Sequence, residues 1–244
     1  MGTDFEVADG FRLGFDGIFG HAKTDSRGSL DPSEDDASFW GLGTYGSYNY
    51  ENLKVMADLG FTEMNTDTDL HTAYGTLSSN NTKSYTFTTG VNAKYSFALS
   101  YADVAPHAGI RFNHANIDKY KVKRQGDVLM TGDSISQNYF QFPVGVEISK
   151  QFVCGEWNLK PMFDLTATIN TGDKKLDAKA TLTGFDSNYG NVSTNAEVLD
   201  TVSVRGALGI EASYGALGLG AGYSYTGSEN VKDHVLSAGV KYTF

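Results

Sequence analysis

Large apolar residues return at every second position along most of this chain, and they keep to one face. The last ten residues, Val235-Leu-Ser-Ala-Gly-Val-Lys-Tyr-Thr-Phe244, show the pattern. Leu236, Ala238, Val240, Tyr242 and Phe244 share a parity, and Ser237, Gly239, Lys241 and Thr243 between them are polar or lack a side chain. A period of two is the period of a β-strand, whose side chains point alternately to its two faces. The same reading holds for Phe11, Leu13 and Phe15, for Leu53 to Phe61, for Tyr85 to Phe97, for Ala108 to Phe112, for Phe140 to Ile148, for Trp157 to Ile169, for Val202 to Tyr214 and for Leu217 to Tyr225. With Trp40 to Tyr50, about ten strands are expected. No helical period of comparable length appears.

The two faces differ in kind. The apolar face is almost free of charge. The other face carries Arg12, Lys54, Lys94, Arg111, Lys160, Arg205 and Lys241 together with Asp16, Asp58, Glu147, Asp164 and Glu211. A soluble sandwich or barrel hides its apolar face inside and shows charge to water. In this chain the apolar rows run about ten residues, the length of a tilted strand that crosses a bilayer. Tyr, Trp and Phe gather at their ends, as in the interfacial girdles of an outer-membrane barrel. In that arrangement the polar face lines the lumen, and its twelve charged residues can pair across it.

The connections sort largely by parity. Links near Tyr50-Glu51-Asn52 and Ser213-Tyr214-Gly215-Ala216 are short, whereas the alternate links, about 22–36, 65–83, 118–133 and 170–200, are long and polar, and only the last of them, Gly227 to Lys232, is brief. Short turns on one rim and long loops on the other belong to the outer-membrane pattern. The expected fold is therefore all-β: an antiparallel up-and-down transmembrane β-barrel, one domain over residues 1–244.

Composition narrows the function. A net charge of −10 opposes a nucleic-acid partner, which needs a basic stripe. With 28 glycines and only 4 prolines, the chain suits long curved strands. A single cysteine, Cys154, allows no intramolecular disulfide and no cysteine metal cluster. No apolar run is long enough for a transmembrane helix, and a mean hydropathy of −0.30 is compatible with a barrel, only half of whose strand residues face lipid. No secretory leader follows Met1; if Met1-Gly2 is not the natural start, the targeting segment lies upstream.

Ser237-x-Gly239-x-x-Tyr242-x-Phe244 reads polar, any, Gly, any, any, aromatic, any, aromatic. It resembles the β-signal that the barrel-assembly machinery of Gram-negative bacteria recognises. Three stretches, Trp40 to Tyr50, Val104 to Phe112 and Asp233 to Phe244, resemble the C-terminal β-domain of autotransporters (type V secretion). The resemblance covers nearly the whole chain. It implies an anchor in the bacterial outer membrane that serves export of an upstream passenger. It further implies outer-membrane lipid, the assembly machinery and that passenger as partners, with a monomeric barrel, no cofactor and no catalysis. The family typically has twelve strands preceded by a plug helix. Ten strands and no plug helix are read here, so either the chain starts at the family's third strand or it is a ten-stranded relative. The alternative function is a stand-alone outer-membrane barrel: a small porin, an adhesin or an omptin-like rim protease.

Other motifs carry less. Gly41-Leu-Gly43-Thr-Tyr-Gly46 fits a dinucleotide fingerprint but lies inside a strand, where glycines ease curvature and close packing. Asn65-Thr-Asp67-Thr-Asp69 lacks the Gly and terminal Glu of a calcium loop. His21 and His71 sit near Asp25, Asp67 and Asp69 in sequence, without matching the rim proteases residue by residue. His107 is expected in the lumen beside Arg111 as a satisfied interior histidine.

The terminal signature gives the first prediction. Deleting Phe244, or replacing it by Ser, lowers the amount of folded, heat-modifiable barrel in the outer membrane; undiminished folded protein would show that the terminal aromatic is not read during assembly.

Overall fold

A computed structural model describes residues 1–26, 32–184, 190–197 and 199–243. Among these residues no helix occurs, and the strands form one antiparallel sheet. In chain order they are β1 (Gly2–Ala8), β2 (Phe11–Asp25), β3 (Ser33–Tyr50), β4 (Leu53–Thr72), β5 (Gly75–Tyr95), β6 (Phe97–Ala98), β7 (Asp103–Ile117), β8 (Tyr120–Arg124), β9 (Asp127–Gly132) and β10 (Ile135–Ser149). They continue as β11 (Phe152–Cys154), β12 (Trp157–Gly172), β13 (Lys175–Leu182), β14 (Asn191–Glu197), β15 (Val202–Tyr214), β16 (Leu217–Gly227) and β17 (Lys232–Tyr242).

The wall is a simple meander. β1 pairs with β2, β2 with β3, β3 with β4, β4 with β5, and β5 with β7. β7 then pairs with β10, β10 with β12, β12 with β15, β15 with β16, and β16 with β17. Each pairing places strand neighbours beside each other, as an up-and-down barrel requires.

Two expectations need correction. The wall has eleven described strands, not ten, because β1 was not counted. β1 is only seven residues long and offers two large apolar side chains, Phe5 and Val7, too short a row to stand out as a span. Secondly, the links at 65–83, 118–133 and 170–200 are largely strand. β4 and β5 pair as far as Thr72↔Gly75 before turning. The other two links fold into the hairpins β8–β9 and β13–β14, and these join each other through Ala180↔Gly132. On the opposite rim the turns are tight, at Asp9-Gly10, Glu51-Asn52 and Gly215, with positive φ of 70° at Gly10, 51° at Glu51 and 54° at Gly215.

Among the described residues there is no conventional apolar core. Among the described residues the only buried hydrophobic residues are Ala37, Ala105 and Ala180. Leu42, Val144 and Leu208 are 63, 58 and 59% exposed, each at the centre of a paired strand. In water such a belt would be a large exposed apolar patch, whereas in a bilayer lipid takes the place of the core.

The purified chain should therefore stay β-rich and monodisperse only in detergent micelles. A monodisperse, β-rich species of the same size in plain buffer, by light scattering and circular dichroism, would refute the membrane assignment.

Candidate functional site

Register fixes which residues share a face, because a slip of one position would turn a whole strand over. Lys54, Lys94, His107, Gly145, Thr166 and Arg205 lie in one row across β4, β5, β7, β10, β12 and β15. Asp58, Gly90 and Arg111 form a second row, Glu147 and Asp164 a third, and Lys160 and Glu211 a fourth. Arg12, Asp16 and Lys241 have the same parity through their own ladders. All twelve charged residues singled out in the sequence thus stand on one face.

That face is the concave one, since side chains on strands two apart meet across it. Arg111 Nη2 of β7 donates to Asp58 Oδ1 of β4 at 2.7 Å, over β5. Lys94 Nζ of β5 donates to Glu147 Oε2 of β10 at 3.0 Å, over β7. His107 Nε2 of β7 lies 2.8 Å from Asp164 Oδ2 of β12, over β10, and Arg205 approaches the other oxygen of Asp164 at 3.8 Å. The lining encloses about 820 Å³ between Lys54, Lys94, His107, Glu147, Asp164 and Arg205. Lys94 and Glu147, and Asp164 with Arg205, are partly desolvated, and the opposite charge beside each offsets that cost. Lys54 stands in register with Lys94 rather than with an acid, while Lys160 faces Glu211 directly.

Sequence reasoning missed three members of this lining. Asp4 and Glu6 of β1 both approach Arg12, Asp4 at 3.2 Å and Glu6 at 3.9 Å, and Tyr45 donates its hydroxyl to Asp4 Oδ2 at 3.0 Å. Alternation of Gly2, Asp4 and Glu6 with Thr3, Phe5 and Val7 carried the signal, over too few residues to be read as a strand. His107, expected in the lumen, lies 2.8 Å from Asp164. Of the terminal signature, Ser237 donates to the carbonyl of Gly222 at 3.3 Å, Gly239 stands opposite Gly220, and Tyr242 stands opposite Leu217. Phe244 lies outside the described residues.

The outer rim holds its own polar contacts. His21 approaches Asp36 at 3.5 Å, and His71 is hydrogen-bonded to Thr76. A latch ties the β16–β17 connection to its neighbours: Asn230 donates its backbone N–H and its side-chain amide to the two carboxylate oxygens of Asp200, at 2.8 and 2.5 Å. Asn170, buried near the end of β12, donates to the Asp200 carbonyl at 2.7 Å. Hydrogen bonds from Ser228 and from the Asn230 backbone hold the Asp200 carboxyl below the ordinary carboxylate value.

Comparison with known proteins follows from this geometry. The model of the autotransporter β-domain family matches residues 1–226. The chain is similar to the translocator domain of the autotransporter NalP from Neisseria meningitidis, at 14% identity and a TM-score of 0.73, covering 100% of this chain and 77% of that one. It is similar to the transport unit of AIDA-I from Escherichia coli, at 15% identity and a TM-score of 0.68, covering 100% and 80%. It is also similar to the β-domain of the Bordetella autotransporter BrkA, at 11% identity and a TM-score of 0.61, covering 98% and 94%. At these identities the likeness shows a shared fold. No curated protein matches the sequence.

The Asp200 latch titrates with a definite sign. A carboxyl whose folded value is depressed stabilises at neutral pH, and that contribution is lost as pH falls through the ordinary carboxylate value of about 4 toward the lower folded one. A nitroxide at Glu229 should be immobilised at pH 7 and become mobile in acid. Asp200→Asn, which puts an amide donor against the Asn230 donors, should be mobile at both. Equal mobility of the parent at pH 7 and pH 3 would show that the carboxylate does not hold the loop.

Proposed function

The chain belongs to the autotransporter β-domain family, an outer-membrane translocator and anchor for an upstream passenger, and from that premise we propose how its lumen serves export. Pairing of the lumenal charges carries the reading. A segment passing through a pore lined by unpaired charges of one sign would be held or repelled by them. Arg111 with Asp58, Lys94 with Glu147, and Asp164 with His107 and Arg205 present neutralised pairs instead, polar enough to replace water around an extended backbone without a strong site that would trap it. The work is physical: no bond is made or broken, and no cofactor takes part.

Ser237, Gly239, Tyr242 and Phe244 are proposed as the signature read by the barrel-assembly machinery, and the folded unit as a monomer. β1 and β17 supply a reason for one further element. Ten antiparallel steps separate them, so they run in the same direction, and each has one edge without a ladder partner among the described residues. No Cα of β17 lies within 8 Å of one in β1 or β2. Unpaired backbone groups facing lipid cost several kcal/mol each, on the order of the whole stability of a domain when repeated along two edges. We propose that a strand from upstream of residue 1 closes the barrel between them, antiparallel to both.

In cells expressing the full-length protein, the passenger should be reached by added protease from outside. Ending translation before Trp157, which removes four wall strands, should leave the passenger protected within intact cells. A tag in the β4–β5 turn at Ala73-Tyr74 should be reached by antibody on intact cells, and one at Glu51-Asn52 only after permeabilisation. A surface-exposed passenger in the truncated protein would show that export does not need the complete wall, and the reverse tag pattern would invert the topology.

A further inference from the structure

We infer that the wall has one line along which it yields, the seam between β7 and β10, and that side-chain pairs in the lumen hold that line shut.

Proline cannot donate to a ladder, which confines it in most sheets to edges and bulges. Pro143 lies instead in the middle of β10, a strand with a neighbour on each side. Toward β12 its ladder is unbroken, with Pro143↔Thr168 in a run from Tyr139↔Gly172 to Ser149↔Met162. Toward β7 the ladder holds from Ile135↔Ile117 to Gln141↔Arg111, resumes at Val144↔Ala108, and skips the two positions between. In the same register those positions pair Phe142 with Ile110 and Pro143 with Gly109. Antiparallel residues in a hydrogen-bonded pair exchange two bonds. Pro143 has no N–H to give, so the Gly109 carbonyl loses its ladder donor.

The gap lies inside the lipid belt. Ile110 and Val144 beside it are 44 and 58% exposed on the outer face, and paired residues continue on both sides of it. A carbonyl without a donor is most costly there, because no water can take the donor's place. Other irregularities among the described wall ladders fall toward strand ends: after Glu6 in β1–β2, next to the turn, and at Thr66/Thr68 in β4–β5, past the last apolar outer residue of β4, Phe61. The β12–β15 and β15–β16 ladders are continuous.

Side chains gather across the interrupted seam. Lys94 of β5 donates to Glu147 of β10, and His107 of β7 meets Asp164 of β12, so each pair straddles the line between β7 and β10. Thr166 steadies Asp164 by donating to its other oxygen at 2.7 Å. Above the gap Asn113 donates to Gln141 at 3.1 Å, and on the lipid side the Phe112 and Phe140 rings stand 5.1 Å apart. Local opening starts where backbone pairing is thinnest. Breaking a partly buried pair that spans such a place leaves a charge without its partner, so the pair resists separation. A wall that yields along one line can widen its lumen while its other ladders stay intact.

Hydrogen exchange of the full-length protein in lipid nanodiscs tests this, read by mass spectrometry on the folded, heat-modifiable fraction. Segments 107–112 and 141–147 should exchange severalfold faster than segments 162–168 and 204–210, which share the unbroken β12–β15 ladder. Pro143→Ala restores a donor and should slow the first two segments severalfold. Lys94→Gln with Glu147→Gln removes one staple without leaving a lone charge, and should speed exchange in those two segments only. Equal exchange at all four segments in the parent, or no slowing by Pro143→Ala, would overturn the yielding seam. A double variant that exchanges as the parent does, or faster at every ladder alike, would overturn the part given to the ion pair.

Discussion

Backbone groups in hydrocarbon have no water to turn to, and every other feature of this chain follows from that. Helix or closed sheet are the two solutions, and a chain whose apolar residues recur at period two has only the second. Once the strands must pair side by side, the register decides everything else. Tyr50↔Leu53 and Tyr95↔Leu53 place aromatics and aliphatics together on the outside, and the same ladders place Lys54 and Lys94 together on the inside. The amphipathicity is that of a soluble sheet turned inside out: the lipid replaces the core, and the charged lining replaces the water-facing surface.

Curvature then does for the inner face what burial does in a soluble protein. On the convex side neighbouring rows diverge, and large side chains such as Leu42 and Val144 stand apart in lipid. On the concave side rows converge until residues on alternate strands touch, which is why Arg111 finds Asp58 rather than a residue on an adjacent strand. Convergence demands small residues beneath each bridge. Glycine weakens an ordinary strand by leaving nothing to pack and by freeing the unfolded chain. Here its missing side chain is the space in which the paired charges lie.

The sequence was legible wherever one face meets lipid and the other meets the lumen, because only there does alternation have a physical cause. Ten wall strands carry that signature. It fades in β1, where Phe5 and Val7 alone mark the outer face. It is lost above the membrane, where both faces of a strand meet water: Asn65 to Lys83 is polar at both parities and reads as a loop, although β4 and β5 continue through it as a paired ribbon. Charges on the inner face could be assigned to that face from parity alone. Their partners could not, because Arg111 and Asp58, or His107 and Asp164, are brought together by the curl of the sheet and the stagger of its ladders. Tyr45's contact with Asp4 stayed hidden for the same reason.

The lumenal glycines differ in whether a neighbouring side chain covers them. Gly14 lies under the Tyr45 ring, Gly43 under the Asp16 carboxylate, Gly90 under Arg111 and Gly145 under His107, so from β2 to β10 a neighbouring side chain covers each of these lumenal glycines. At the far end, Gly220 of β16 and Gly239 of β17 share that face, yet a Cβ on either would meet nothing within 4 Å. A side chain that covers a concave glycine comes from a neighbouring strand, in register or one row away. β16 is flanked by Glu211 and Gly239 at this level, and Gly239 can cover nothing. Gly239 has a described neighbour on one side only, and that neighbour is Gly220. Ser237 and Lys241 of β17 stand over Gly222 and Gly218 of β16, 3.0 and 3.5 Å from where a Cβ would lie, so the uncovered glycines are the pair that face each other across β16 and β17, where neither has a side chain to cover the other.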